Sequence, residues 1–287
     1  MPADRLERAG FDMPAGACDA HMHLFGSADR YPPSRAARYT LPAATGRDYA
    51  ETAATLGLHR AVLVQPSFYE EDNRCLLDAL RRSGQKWRGI VMAPLETPLS
   101  TLRSWHETGV RGLRLDLFRA RASGLSGPAI HDLLASAGKL AQRLGWSVDL
   151  YTPGSLCRDA LPVIARMPCP VSIAHMGYVT SDDADDEPPV EHFIASLAAS
   201  GNIWVKLTGP YRLEQAGTGH AGRMAEALIR AMPDRLLWGT DWPHVMAPPQ
   251  DSGALLNTLA AWCPAADLRK RILVDNPRRL YGFACPE

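Results

Sequence analysis

Two histidines separated by one residue, His21 and His23 in ACDAHMHLFG, stand at the end of the first apolar run of the chain. In a strand, residues two apart share a face, so this H-x-H places two imidazoles side by side, able to grip a cation or polarise a carbonyl. A third histidine, His175, closes the apolar run SIAHMG, and an aspartate, Asp241, closes WGTDWPH. Other polar groups end runs in the same manner: Ser67 in VLVQPSF, Arg114 and Asp116 in GLRLDLF, Tyr151 in SVDLYTPG and Arg212 in KLTGPYR. Three imidazoles converging on a carbonyl oxygen stabilise the oxyanion formed when water attacks, and Asp241 is the candidate base for that water. The expected chemistry is hydrolysis of an acyl or lactone bond. Ser67, Tyr151, Arg114 and Arg212 would orient the substrate, and two guanidinium forks match a substrate carrying one or two carboxylates.

These residues need a scaffold that gathers strand ends. Eight short apolar runs recur along the 287 residues: Ala17 to Leu24, Ala61 to Gln65, Arg88 to Ala93, Val110 to Leu117, Ser147 to Tyr151, Val171 to His175, Asn202 to Leu207 and Arg235 to Asp241. Helical patterns lie between them at Arg47–Leu56, Asn73–Arg82, Leu99–Thr108, Ala129–Leu144, Leu156–Ile164, Glu191–Ala199 and Ala221–Ala231, with Gly253–Trp262 and Ala266–Leu273 after the last run. The alternation predicts an α/β fold, a single-domain (β/α)8 TIM-type barrel over residues 1–287 with residues 1–15 as an N-terminal extension. Active groups of such barrels come from the C-terminal ends of several strands, where the three histidines and Asp241 fall. The acidic stretch Ser181 to Pro189 is expected to be a surface loop.

Composition narrows the partners. Lys plus Arg and Asp plus Glu are 31 each, so no net field draws the chain to nucleic acid or to an anionic membrane. Neither G-x-G-x-x-G nor a P-loop is present, which argues against a nucleotide enzyme. The six cysteines are scattered without a C-x-x-C pair and are expected to be reduced core thiols, Cys18 included. No secretory leader pattern or long apolar span occurs, so the expected location is the cytoplasm. A homo-oligomer stays open. Lys206, in run seven, would need a carboxylate partner inside a barrel, and His244 divides evenly between the site and packing on Trp242. His59, His106, His131, His192 and His220 are expected at the surface.

DAHMH, SIAHMG, WGTDWPH and the closing VDNPRRLYGF, taken in order, resemble the amidohydrolase superfamily in its amidohydrolase-related branch, from about Gly16 to Phe283. VLVQPSFYEEDN, GVRGLRLDLF and WVKLTGPYRLE are similar to the lactonases of that branch that open 2-pyrone-4,6-dicarboxylate. The resemblance implies that His21, His23 and His175 polarise the lactone carbonyl, that Asp241 activates water, and that Ser67, Arg114, Tyr151 and Arg212 bind the carboxylates and ring oxygen. It also implies a further arginine after the fourth strand, for which FRARAS offers Arg119 or Arg121. Many superfamily members bind divalent ions; here no required cofactor is expected, the alternative being one zinc on His21, His23, His175 and Asp241. The expected partner is a small carboxylated lactone. Rival readings are lactonases for sulfomuconolactone or sugar-acid lactones, a zinc-dependent decarboxylase, and a non-catalytic barrel that binds an aromatic acid.

Overall fold

A computed structural model describes residues 6–35, 37, 39, 43–180, 190–213 and 219–285. Eight strands follow one another around a single sheet: β1 (Cys18–Met22), β2 (Arg60–Val64), β3 (Trp87–Val91), β4 (Val110–Asp116), β5 (Ser147–Tyr151), β6 (Val171–Ile173), β7 (Ile203–Leu207) and β8 (Leu236–Trp238). All seven ladders between consecutive strands are parallel. The helices between them are α1 (Gly46–Leu56), α2 (Arg74–Arg82), α3 (Leu99–Thr108), α4 (Leu117–Ala122), α5 (Gly127–Leu144), α6 (Gly154–Ile164), α7 (Val190–Ala199) and α8 (His220–Ala231). After β8 come α9 (Ser252–Trp262), α10 (Ala266–Lys270) and α11 (Asn276–Tyr281). This is the expected (β/α)8 barrel. The Ser181 to Pro189 stretch lies outside the described residues.

Strands such as RAVLV in β2 are apolar on both faces because one face meets helices and the other fills the lumen. The helices bury one stripe each: α5 does so with Ile130, Leu134, Ala137 and Ala141, at the spacing of a 3.6-residue turn. Cys18, Ala20, Val62, Val64, Ile90 and Leu237 form a separate cluster inside the barrel, closed below by Tyr281 and Phe283. Cys18 is thus a packed thiol, and burial pushes its pKa well up. The N-terminal segment is tied to α9, with Gly10 N donating to Asn257 Oδ1 at 2.7 Å.

The β8–β1 seam carries the site and is closed by a few specific bonds. Asp241 N donates to His21 O and His23 N to Trp242 O, both at 2.8 Å. Buried Asp19 completes the seam: Oδ1 accepts from His21 N and Thr240 N at 3.0 Å, and Oδ2 accepts from Thr240 Oγ1 at 2.6 Å and Tyr49 OH at 3.0 Å. Gly239 permits this approach, since a Cβ there would stand 2.6 Å from His21 N. Burial lifts the Asp19 carboxyl to about 6, against the hydrogen bonds from Thr240, His21 and Tyr49. A carboxyl raised on folding adds stability that is complete below its unfolded pKa near 4 and is lost as pH rises through 6. Asp19→Ala strands four donors, and the expected loss is about 2–4 kcal/mol in urea unfolding. That loss should grow by about 1 kcal/mol between pH 7.5 and pH 5.

Three differences from the sequence reading have local causes. β6 and β8 end at Ile173 and Trp238, before the expected His175 and Asp241, because those two residues leave the ladder with φ of 52° and 61°. The helical pattern expected over Ala266–Leu273 breaks at Arg271, where a π-turn spans Arg271–Asp275 before α11. His220, expected at the surface, is buried at the start of α8 with its Nε2 3.0 Å from Val179 O. Among the described residues no helix is long and apolar enough to cross a membrane.

Candidate active site

The barrel mouth brings the four expected groups together. The His21 and His23 ring centroids are 4.9 Å apart, and His21 and His175 are 5.1 Å apart. Asp241 Oδ1 lies 3.5 Å from His23 Nε2 and 3.7 Å from His21 Nε2. All four are at most 4% exposed, so water reaches them only through the cavity above. A bulge in β1 makes this possible: the register shifts between Asp19 and Met22, so Ala20 and His21 both turn to the lumen.

The two carboxylate oxygens of Asp241 have different company. Oδ2 accepts from Arg212 Nε at 2.8 Å and from Tyr211 OH at 2.7 Å. Oδ1 faces only imidazole edges, which leaves it as the atom that can take a proton. Burial, the largest influence on this carboxyl, acts to raise it. The charge that a proton on His175 would carry, the Arg212 guanidinium and the contact with His23 oppose burial, and the carboxyl is held well below the usual carboxylate range.

Burial depresses all three histidines, His175 to about 4 and His21 well below its ordinary value, so they are neutral near pH 7. Their partners assign the tautomers. His23 Nδ1 is 2.8 Å from the Val64 carbonyl, which only accepts, so the proton sits on Nδ1 and Nε2 presents a lone pair. His175 Nδ1 lies 3.4 Å from the Thr208 carbonyl, which only accepts and favours a proton on Nδ1, and 3.0 Å from the Thr208 hydroxyl, which can accept or donate. Ligand atoms of His21, His175 and Asp241 lie within 4.8 Å of one another, a set of two imidazoles and one carboxylate that suits a single divalent ion of zinc type.

Above this floor a cavity of about 430 Å³ is lined by His23, His175 and Asp241 with Ser67, Arg114, Arg119, Tyr151 and Arg212. His21 is fully buried and is not among the residues lining the cavity, while its ligand nitrogen lies within 4.8 Å of the ligand atoms of His175 and Asp241. Arg114 is buried, bonds Gln65 O through Nη1 at 3.1 Å, and keeps its buried Nε without a partner among the described residues. The other two cavity arginines are already matched: Arg119 pairs with Glu70 at 2.9 Å and Arg212 with Asp241. Ser67 Oγ donates to Asp116 Oδ2 at 2.5 Å, and Asp116 Oδ1 caps α4 through Arg119 N at 2.9 Å. The choice between Arg119 and Arg121 falls to geometry, because Arg121 is absent from the lining and reaches Ser155 Oγ at 3.3 Å.

Several lining or supporting residues escaped the sequence reading. Tyr39 and Phe118 line the cavity from a loop and from α4, with no strand-end signal to mark them. Tyr211 precedes Arg212 in the same turn and holds both Asp241 and His244 Nδ1, the latter at 3.2 Å. His244 therefore belongs to the site's support, anchored on its far side by Ser252 Oγ at 2.9 Å. Asp149 carried a legible signal, a charge inside the β5 strand, and is the carboxylate that Lys206 required.

Residues 18–283 match the amidohydrolase family. The chain is 32% identical to a 4-sulfomuconolactone hydrolase of Hydrogenophaga intermedia over 98% of its length and 93% of that relative. It is 31% identical to a 2-pyrone-4,6-dicarboxylate hydrolase of Comamonas testosteroni, over 94% of this chain and 92% of the relative. Among solved structures, a probable 2-pyrone-4,6-dicarboxylic acid hydrolase of Acinetobacter baumannii, with citric acid bound, superposes with a TM-score of 0.81 at 25% identity, covering 93% of this chain and 100% of that one. With a barrel, an H-x-H, a late histidine and a β8 aspartate all in place, the chain belongs to the amidohydrolase family.

Proposed function

We propose that this chain hydrolyses a small lactone bearing acidic groups, with 2-pyrone-4,6-dicarboxylate as the first substrate to test. The observation that carries the reading is an ionised Asp241 whose Oδ1 is unbonded, at the floor of a cavity walled by the unmatched guanidinium of Arg114. Arg114 anchors one carboxylate, and the remaining N–H groups of Arg119 and the Tyr151 and Ser67 hydroxyls orient the ring. Asp241 Oδ1 takes a proton from water, the oxygen attacks the carbonyl carbon, and the ring C–O bond breaks. The leaving oxygen of a pyrone is an enolate, which departs readily and recovers the proton from Asp241. A bound dianion raises the proton affinity of His23 and His175, and a proton on either Nε2 makes that ring the donor an oxyanion needs.

A single divalent ion in the His21, His175 and Asp241 cluster, beside His23, would supply Lewis-acid polarisation of the carbonyl when bound. The proposed reaction runs on the side chains alone, so turnover is expected to survive exhaustive dialysis against a chelator, with metal content measured on the same sample. Loss of turnover restored by Zn2+ would assign the polarisation to the ion. A second reading, 4-sulfomuconolactone, is favoured by the 32–33% identity to two hydrolases of that substrate over 98% of the chain. Turnover of both dianions beside an uncharged sugar lactone decides between them; a preference for the uncharged lactone would overturn the acidic-substrate reading.

A further inference from the structure

Beneath the cavity lies a buried chain of polar groups for which the hydrolytic scheme has no use. Lys206 Nζ on β7 is 2.5 Å from Asp149 Oδ2 on β5 and 3.1 Å from His21 Nδ1 on β1, and all three residues are fully buried. Ser172 Oγ on β6 donates to the same Asp149 oxygen at 2.8 Å. Such a pair is costly to bury, and replacing it with apolar side chains of like volume is often neutral or stabilising.

The geometry points to Lys206 as a positioning residue that locks His21 in one tautomer, with its proton on Nε2. The assignment holds for either placement of the shared Lys206–Asp149 proton. As an ammonium, Nζ has donors only; as an amine facing a protonated Asp149, its lone pair is taken by that proton. In both cases Nζ donates to His21 Nδ1, and a neutral imidazole that accepts at Nδ1 carries its hydrogen at Nε2.

The consequence separates His21 from its two neighbours. The Val64 and Thr208 carbonyls favour lone pairs turned toward the site on His23 and His175, whereas His21 turns an N–H, and its buried Nε2 has no hydrogen-bond partner among the described residues. The nearest carboxylate oxygen is Asp241 Oδ1 at 3.7 Å, the atom assigned as base in the proposed hydrolysis, on which this catalytic role rests. An N–H pole there keeps Oδ1 ionised and oriented between turnovers. A neutral His21 in this tautomer has no lone pair at Nε2, so an ion in the His21, His175 and Asp241 cluster would have to displace that proton.

Long-range 1H–15N correlation on 15N-histidine-labelled protein tests the tautomers without any substrate, so the result stands even if none of the lactones is turned over. The expected pattern is a bare Nδ1 and a protonated Nε2 for His21, with the reverse for His23 and His175. A protonated His21 Nδ1, or loss of the Nε2 proton when Zn2+ is added, overturns the proposal. Lys206→Met combined with Asp149→Asn removes both charges together, so neither is stranded. That double variant is expected to lose the single His21 pattern. Its kcat should fall about 10- to 100-fold, the scale seen when the partner orienting a site histidine is removed. KM should stay within about 2-fold, because no substrate contact is lost. Unchanged kcat would make the pair purely structural, and a rise in KM alone would return His21 to the substrate; either outcome overturns the proposal.

Discussion

Asp241→Asn is expected to lower kcat for lactone hydrolysis about 100- to 10,000-fold, the usual yield of a positioned general base. The shape is retained, so the effect isolates basicity. Tyr211 and Arg212 both donate to Oδ2, and an amide placed there turns its oxygen to those donors and its NH2 to the Oδ1 position. A donor then faces the water and the His23 lone pair where a base stood. Binding should change little, because the cavity cations that hold the acid groups are untouched, and KM is expected within a few-fold of the parent. Thermal unfolding of the variant guards against a trivial loss, since the Arg212 guanidinium gives up its carboxylate partner. Turnover within about 10-fold of the parent would remove Asp241 from the chemistry.

Much of this architecture was legible because two periodicities rarely coincide by chance. The apolar runs of β3 and β4 flank the amphipathic α3, whose bounds Leu99–Thr108 match the pattern read from sequence. The site was legible for the same reason, since His21 and His23, His175 and Asp241 stand at the ends of the first, sixth and eighth runs and barrels gather such ends. What escaped was whatever depends on the third dimension alone. The bulge in β1 leaves no mark in ACDAHMH, so an H-x-H read as two equivalent imidazoles becomes one residue that lines the cavity and one that is fully buried outside the lining. α4 was missed because six residues cannot show a period, and it brings Phe118 and Arg119 to the cavity. Pairings were equally hidden: nothing in the spacing tells that Arg212 is spent on Asp241 and Arg119 on Glu70, while Arg114 stays unmatched.

That inequality among the arginines leads to the second large effect. Arg114→Met is expected to raise KM for a carboxylated lactone about 30- to 1,000-fold, the cost of removing one partner from a buried, hydrogen-bonded charge pair. Arg114 is 5% exposed, its Nε has no partner among the described residues, and its guanidinium stacks 5.0 Å from the Tyr151 ring, so it is held in place before any ligand arrives. Methionine keeps much of the aliphatic stem and the packing on Tyr151 while deleting the donors. Arg119→Met should cost less, because Arg119 already pairs with Glu70 and is 45% exposed at its side chain. An uncharged lactone, if turned over at all, should be indifferent to both substitutions, since it has no acid group to lose. Equal losses on charged and uncharged lactones would mean that Arg114 shapes the cavity rather than reading charge. An Arg119 effect larger than that of Arg114 would show that the ligand displaces Glu70 to reach its guanidinium, and would move the anchoring point to the mouth of the barrel.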